Sequence, residues 1–424
     1  TAGGTKNVAI GNYSLDALTS GDNNTGVGYL SLSANNTGVS NTGIGSNSAR
    51  LITTGDFNTA VGAYSLSNAV GGDNNTAMGY SAVAENIAGG HNTGFGAYAL
   101  QNNSASYNTA VGSLALLSNT TGERNIAFGY AAYTASDTEN DNLAIGYEAM
   151  TTNTAGGTAN IAVGNYALDA LTSADNCIGI GNNAGGAITT GANNVAVGNS
   201  AGDAIVGGAN NTSLGFEAGT GVSGGNDNIC VGVASGAYGV TLTTGSRNIL
   251  IGNYSHGPDA ASADAIVFGY NVGGANSTLS FGNATTDSRI AFGATSISAP
   301  SDIRLKRNIK DDVAGLSFIN DLRPVTYEWK KEKNIPEEMN THVAGSEKTY
   351  NNEFVNHGFI AQEVKETIDN HSEIKDGFKM WSKDDIDGRQ RIAEGALVPM
   401  LVKSIQELSA QNADLLARIE TLEG

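Results

Sequence analysis

A five-residue unit, Asn-x-small-apolar-Gly, recurs along most of this chain, as in Asn7-Val-Ala-Ile-Gly11, Asn58-Thr-Ala-Val-Gly62 and Asn194-Val-Ala-Val-Gly198. Its lead residue falls at 7, 24, 41, 58, 75, 92, 108, 125, 142, 160, 177, 194, 211, 228 and 248, a period of 17 with slips of one to three residues, and only Cys177 departs from Asn in that column. A unit this short cannot bury an apolar face by itself, so successive units must stack. The third position is nearly always Ala or Gly, and the fourth is large and apolar (Ile10, Val27, Ile44, Val61, Met78, Phe95, Val111, Phe128, Ile145). Alternation with period two predicts a short strand, with the large residue filling a core, the small one allowing close approach of a neighbouring layer, and Gly turning the chain. A second apolar cluster (Tyr13-Leu15, Tyr64-Leu66, Tyr98-Leu100, Tyr166-Leu168) precedes a turn rich in Gly, Asp, Asn and Thr, which predicts two strands per coil. Stacked about 4.8 Å apart, the coils make a solenoid on the order of 70 Å long, with Asn side chains in a ladder.

Composition divides the chain near Ala299-Pro300-Ser301. Residues 1–300 hold 50 of the 57 glycines and five of the 22 basic residues, against 18 acidic ones, for a net charge of −13. Residues 301–424 hold 17 basic and 23 acidic residues, net −6. The overall charge of −19 argues against nucleic acid as a partner. No apolar run approaches the roughly 18 residues of a membrane span, so no membrane insertion is expected. The chain opens almost directly on its first repeat, and the region that tethers it to a larger particle is expected to lie outside it. Cys177 and Cys230 read as small buried repeat residues. The turns Gly21-Asp22-Asn23-Asn24 and Gly72-Asp73-Asn74-Asn75 carry Asp and Asn for backbone reasons, and neither a metal nor a cofactor is expected.

The repeats over about residues 5–255 resemble those of trimeric autotransporter adhesin heads, a left-handed parallel β-roll that also occurs in phage fibres. Residues 256–300 keep weaker echoes, Ile266-Val-Phe-Gly269 and Leu279-Ser-Phe-Gly282, and read as a neck or second β-element. At the composition boundary stands Ser301-Asp302-Ile303-Arg304-Leu305-Lys306-Arg307-Asn308-Ile309. Downstream lie Leu322-Arg-Pro-Val-Thr-Tyr-Glu-Trp329, His357-Gly-Phe-Ile-Ala-Gln-Glu-Val364 and Val398-Pro-Met-Leu-Val-Lys-Ser-Ile-Gln-Glu-Leu408. Together these resemble the intramolecular chaperone autoprocessing domain of endosialidases, phage tailspikes and tail fibres, over essentially all of 301–424.

That resemblance implies a homotrimer and a serine autoprotease acting once, with Ser301 as nucleophile, Lys306 as base, Asp302 and Arg304 in support, and Pro300–Ser301 as the bond cut; no turnover enzyme is implied. A neutral lysine can take a serine proton where burial and nearby cations lower its pKa, and Arg304, Arg307 and Lys310 are at hand. Neither a regular helix nor a strand brings residues five apart together, so either the segment bends or Lys306 reaches a neighbouring protomer's serine. Without the downstream matches, Ser301-Asp302 would read as the N-cap of an amphipathic helix. From Val398 the series Val398, Leu401, Ile405, Leu408, Asn412, Leu415, Ile419, Leu422 forms a heptad seam, a coiled coil over 398–422.

The expected architecture is therefore mainly β: a trimeric parallel β-roll or solenoid over 1–255, a neck over 256–300, and an α+β chaperone domain over 301–424 ending in a coiled-coil helix. The expected function is a phage tail fibre in the virion, binding a host cell-surface receptor and other tail proteins, with a C-terminal domain that drives trimerisation and then cuts itself off. Two alternatives share the chaperone domain: a glycan depolymerase, which would need a carboxylate pair in a groove, and a fibre that keeps the domain uncut as a trimerisation tip. A bacterial adhesin would need a C-terminal β-barrel anchor, and none is expected from residues 301–424.

Overall fold

The structure, a computed structural model, describes residues 4–153, 156–239, 242–294, 297, 301–339, 341–375, 378–383 and 388–423. It divides into two compact units, Thr1–Pro300 and Ser301–Gly424.

The first unit is a parallel β-solenoid. Each repeat contributes one three-residue strand, from Val8–Ile10 to Ile249–Ile251. Neighbours pair in parallel with Asn columns aligned, Thr59 opposite Thr76 and Ala60 opposite Ala77. Register survives the slips: Thr93 meets Thr109, Leu143 meets Ile161 and Ile229 meets Ile249, so inserted residues are taken up in turns. Ala265–Tyr270 and Thr278–Asn283 extend the same sheet in parallel, and Asp287–Ala291 pairs antiparallel with the last of these, covering the edge of the 18-stranded sheet.

The inside and outside of the strand are the reverse of the sequence expectation. The small middle residue points inward and is fully buried (Ala60, Ala77, Ala110 and Ala127 at 0% exposure), while the large fourth-column residue faces out (Ile10 60%, Phe95 51%, Phe128 56%). Alternation requires opposite faces and does not say which is the core. In most coils the interior leaves little room at this position, and a Cβ built on the middle residue Gly26 would lie 2.5 Å from Ser14 Oγ and 3.3 Å from Leu15 Cγ; near the end of the stack the larger Leu250 stands there, also fully buried.

The bulk of the core comes instead from the second cluster, through Leu32, Leu66, Leu100, Leu116 and Leu168, all fully buried. That cluster is not a second strand. Its members take left-handed backbone conformations in turns, Tyr64 at φ 59° and Leu66 at φ 47°, a costly arrangement for side chains with a Cβ, which stacking must offset. The Gly after each strand is required sterically. Gly62 sits at φ +130°, and a Cβ there would be 2.4 Å from the carbonyl oxygen of Gly79 in the next coil.

The Asn column forms the expected ladder. Asn75 Nδ2 donates to the Gly89 carbonyl (3.0 Å) and to Asn58 Oδ1 (3.1 Å), and its own Oδ1 accepts from the Asn92 backbone N–H (3.0 Å). The polar turn backbone inside the coil is thereby satisfied without water. Cys177 keeps part of this pattern: its N–H donates to Asn160 Oδ1 (2.8 Å) and its thiol approaches the Gly191 carbonyl at 3.3 Å. It offers no amide oxygen to Asn194. Cys177→Asn is therefore expected to raise the thermal midpoint, by about 1 kcal/mol of added hydrogen bonding; a lower midpoint in calorimetry would refute the reading. Both cysteines are buried and unpaired. Burial pushes the Cys230 thiol up to about 12, which suits a packing role and not a reactive one.

The residue before each Asn makes an exposed ladder of its own, including the Arg124–Asp141 and Arg247–Asp264 ion pairs, the stacked His91–Tyr107 rings and the amide series Asn176–Asn193–Asn210. Exposed pairs such as these add little stability.

The second unit is a small α+β fold. Helices α1 (Leu316–Asp321), α2 (Ala361–Asn370) and α3 (Val398–Glu423) accompany two antiparallel pairs, Val325–Tyr327 with Asn356–Gly358 and Trp381–Lys383 with Gln390–Ile392. Phe318, Val364, Ile368, Met380, Leu397 and Met400 form the core. Val364 and Ile368, one helical turn apart, give α2 its buried face. The N-terminus of α1 has no side-chain cap of its own, and Glu407 of α3 accepts from the Leu316 N–H at 2.8 Å. The heptad residues Leu401, Ile405, Leu408, Leu415, Ile419 and Leu422 of α3 are all exposed, whereas Met400 and Ser404 on an adjacent face are buried. No helix among the described residues is long and apolar enough to cross a membrane.

A serine–lysine pair at the head of the C-terminal unit

Ser301 to Val313 form an arm in which every residue is exposed. Asp302 caps a single 3-10 turn, Ile303–Leu305, by accepting from the Arg304 N–H (2.8 Å), and the Lys306 N–H closes the turn on the Ile303 carbonyl. This turn supplies the bend that the spacing demands. It folds Lys306 back over the start of the arm, where its Nζ donates to Ser301 Oγ at 2.7 Å within one chain.

The supporting residues engage each other. The Arg304 guanidinium grips both oxygens of Asp302, with Nη2 to Oδ2 at 2.6 Å, which holds the Asp302 carboxyl below the usual carboxylate range and raises Arg304. Arg304 is thus neutralised by its neighbour, and Arg307 and Lys310 remain as the cations nearest in sequence to Lys306. The expected scissile partner, Pro300, lies outside the described residues.

The arrangement has two of the elements of base-assisted nucleophilic attack, a hydroxyl and an amine at hydrogen-bonding distance. It lacks the third, exclusion of water, because both side chains are exposed in the single chain. Desolvation is what makes the charged form of a lysine unfavourable.

His357, expected as part of the chaperone signature, sits on the strand Asn356–Gly358. With Pro324, Thr326, Phe359 and Glu394 it lines a cavity of about 480 Å3. An adjoining cavity of about 430 Å3 shares Gly358, Phe359 and Glu394 and adds Tyr327, Trp329 and Ile392. The sequence reading did not single out Glu394. Its neighbours come from three separated segments that only the fold brings together, and no local spacing announces it. Among the described residues no group of three or more His, Cys, Asp or Glu is placed to hold a metal. The turn aspartates of the solenoid serve the backbone: Asp56 accepts from the Val39 N–H and Asp73 from the Asp56 N–H.

Residues 301–372 match the model of the protein family described as the chaperone of endosialidase. No curated protein matches the chain. The match begins at Ser301, the residue that carries the hydroxyl of the pair and opens the second compact unit. The chain thus joins a parallel β-solenoid to a C-terminal chaperone-of-endosialidase domain.

Proposed function

We propose that this protein is the trimeric shaft of a phage tail fibre, carried in the virion for attachment to a host cell-surface receptor, whose C-terminal domain assembles three chains and then releases itself by cutting Pro300–Ser301. The observation that carries the reading is the 2.7 Å contact of Lys306 with Ser301 at the first residue of the family match.

In this mechanism Lys306, as a free amine, takes the Ser301 hydroxyl proton while Oγ attacks the Pro300 carbonyl carbon. The peptide C–N bond breaks as the C–O ester bond forms, and the proton passes from Lys306 to the freed Ser301 amine. Water then hydrolyses the ester, leaving a Pro300 carboxylate and restoring the serine. Trimerisation supplies the desolvation that the single chain lacks, so the cut reports on assembly.

The homotrimer is supported by the outer face of the sheet. Across fifteen coils the two outward positions of each strand hold only Thr, Val, Ile, Leu, Met and Phe. An uncharged strip of that length is far larger than the apolar patches a monomer leaves in water. A copy of the same solenoid has the matching coil spacing, and the exposed heptad seam of α3 calls for copies in the same way.

Intact mass under denaturing conditions tests the reading on freshly expressed wild type, Ser301→Ala and Lys306→Ala. The wild-type chain of 43.2 kDa should split at Ser301 and both variants should stay whole. A wild type that trimerises and also stays whole would make 301–424 a retained trimerisation tip.

A further inference from the structure

The arm that carries Ser301 and Lys306 is apolar as well as basic. Ile303 and Leu305 are 71% and 72% exposed, and Ile309 also stands in water. Arg307 and Lys310 have no ion-pair partner among the described residues.

Elsewhere in the same unit the two adjoining cavities form a groove of complementary character. Tyr327, Trp329, Phe359 and Ile392 make its apolar wall, and Glu394, shared by both cavities, has no ion-pair partner among the described residues. Trp329 contributes its ring to that wall, while its Nε1 is buried without a hydrogen-bond partner.

The root of the arm lies against α3. Ala314 and Gly315 are buried, and the chain is pinned to α3 through the Leu316 N–H on Glu407. The arm therefore leaves its own unit beside the helix whose seam faces other copies.

We infer that in the trimer the arm of one subunit lies in the groove of its neighbour, with Ile303, Leu305 and Ile309 against the aromatic wall and Arg307 or Lys310 on Glu394. The neighbour then covers the Ser301–Lys306 pair. The inference rests on the trimeric reading above. It adds that the desolvating surface belongs to another chain although both members of the pair belong to one.

Replacing Leu305 by the photo-crosslinking residue benzoylphenylalanine in the full chain tests this, in a Ser301→Ala background and with the wild-type serine. Irradiation should give a species of twice the chain mass on denaturing gels, with the link mapped by mass spectrometry to the Tyr327–Trp329 or Phe359 segment. Adding Trp329→Ala should lower its yield about tenfold, as expected for losing an aromatic anchor, while circular dichroism confirms folding. Interchain links without cleavage would uphold the docking and sink the autoproteolysis. Cleavage with links only inside one chain, or to other surfaces, would overturn the docking alone, and a chain that sediments as a monomer would overturn both docking and trimer.

Discussion

Asn75→Ala should unfold the middle of the solenoid well below the wild-type midpoint, at a cost of roughly 2–4 kcal/mol. The estimate follows from counting the groups affected: the Asn92 N–H loses its acceptor, the Asn92 side chain loses one of its partners, and the Gly89 carbonyl loses one of two donors, keeping Asn86 Nδ2 at 2.7 Å. All are buried, where each unmade bond costs about 1–3 kcal/mol. Alanine also leaves a small void, which adds to the loss. Asn75→Asp should be worse, because a carboxylate would face the Gly89 carbonyl and Asn58 Oδ1 without protons to offer. Hydrogen exchange on the full chain is the informative readout, since coils contact only their neighbours and loss of protection should centre on residues 58–108. Unchanged protection there, with a midpoint shift under about 1 °C, would mean that the ladder is ornamental.

Phe95→Lys combined with Phe128→Lys should leave each chain able to coil but should separate the chains along that stretch. Both rings point away from the coil interior, so neither lysine disturbs the stacked Ala and Leu core. In a trimer whose strand faces meet, the double variant would place six ammonium groups in a buried apolar interface without counter-charges, at several kcal/mol each. The C-terminal unit would still hold three chains together, so total mass is the wrong measurement. Exchange protection and protease resistance over residues 93–128 should collapse, whereas Ala110→Lys, pointing inward, should abolish coiling altogether. If the double variant kept wild-type protection, the strand face would be solvent-facing in the assembly.

Several features of this molecule are legible in sequence because single residues enforce them. The Asn column shows its function by recurring, since its short amide both donates across a turn and accepts from the next coil. The Gly column does so because a Cβ would strike the coil above. The break at residue 300 is visible in charge and glycine content. The face assignment was not legible: in a strand of three residues, one inward and two outward positions alternate equally well in either orientation, and side-chain size was a false guide because the interior is narrow. The Tyr-x-Leu cluster misled for a related reason. Two left-handed residues separated by one position copy the spacing of a strand, and φ is invisible in sequence. At the serine–lysine pair the spacing demanded a bend without identifying it; the Asp302 cap and its 3-10 turn did that, while the groove around Glu394 had no local signature.

The single thiol in the asparagine column has a mechanical consequence. Pull on a solenoid along its axis and every junction between coils bears the same tension, so the shaft is as strong as its weakest junction and no stronger. Between the coils led by Cys177 and Asn194 the side-chain oxygen that straps other junctions together is missing. Under axial load the solenoid is expected to open at such a junction, with the coils on either side staying closed.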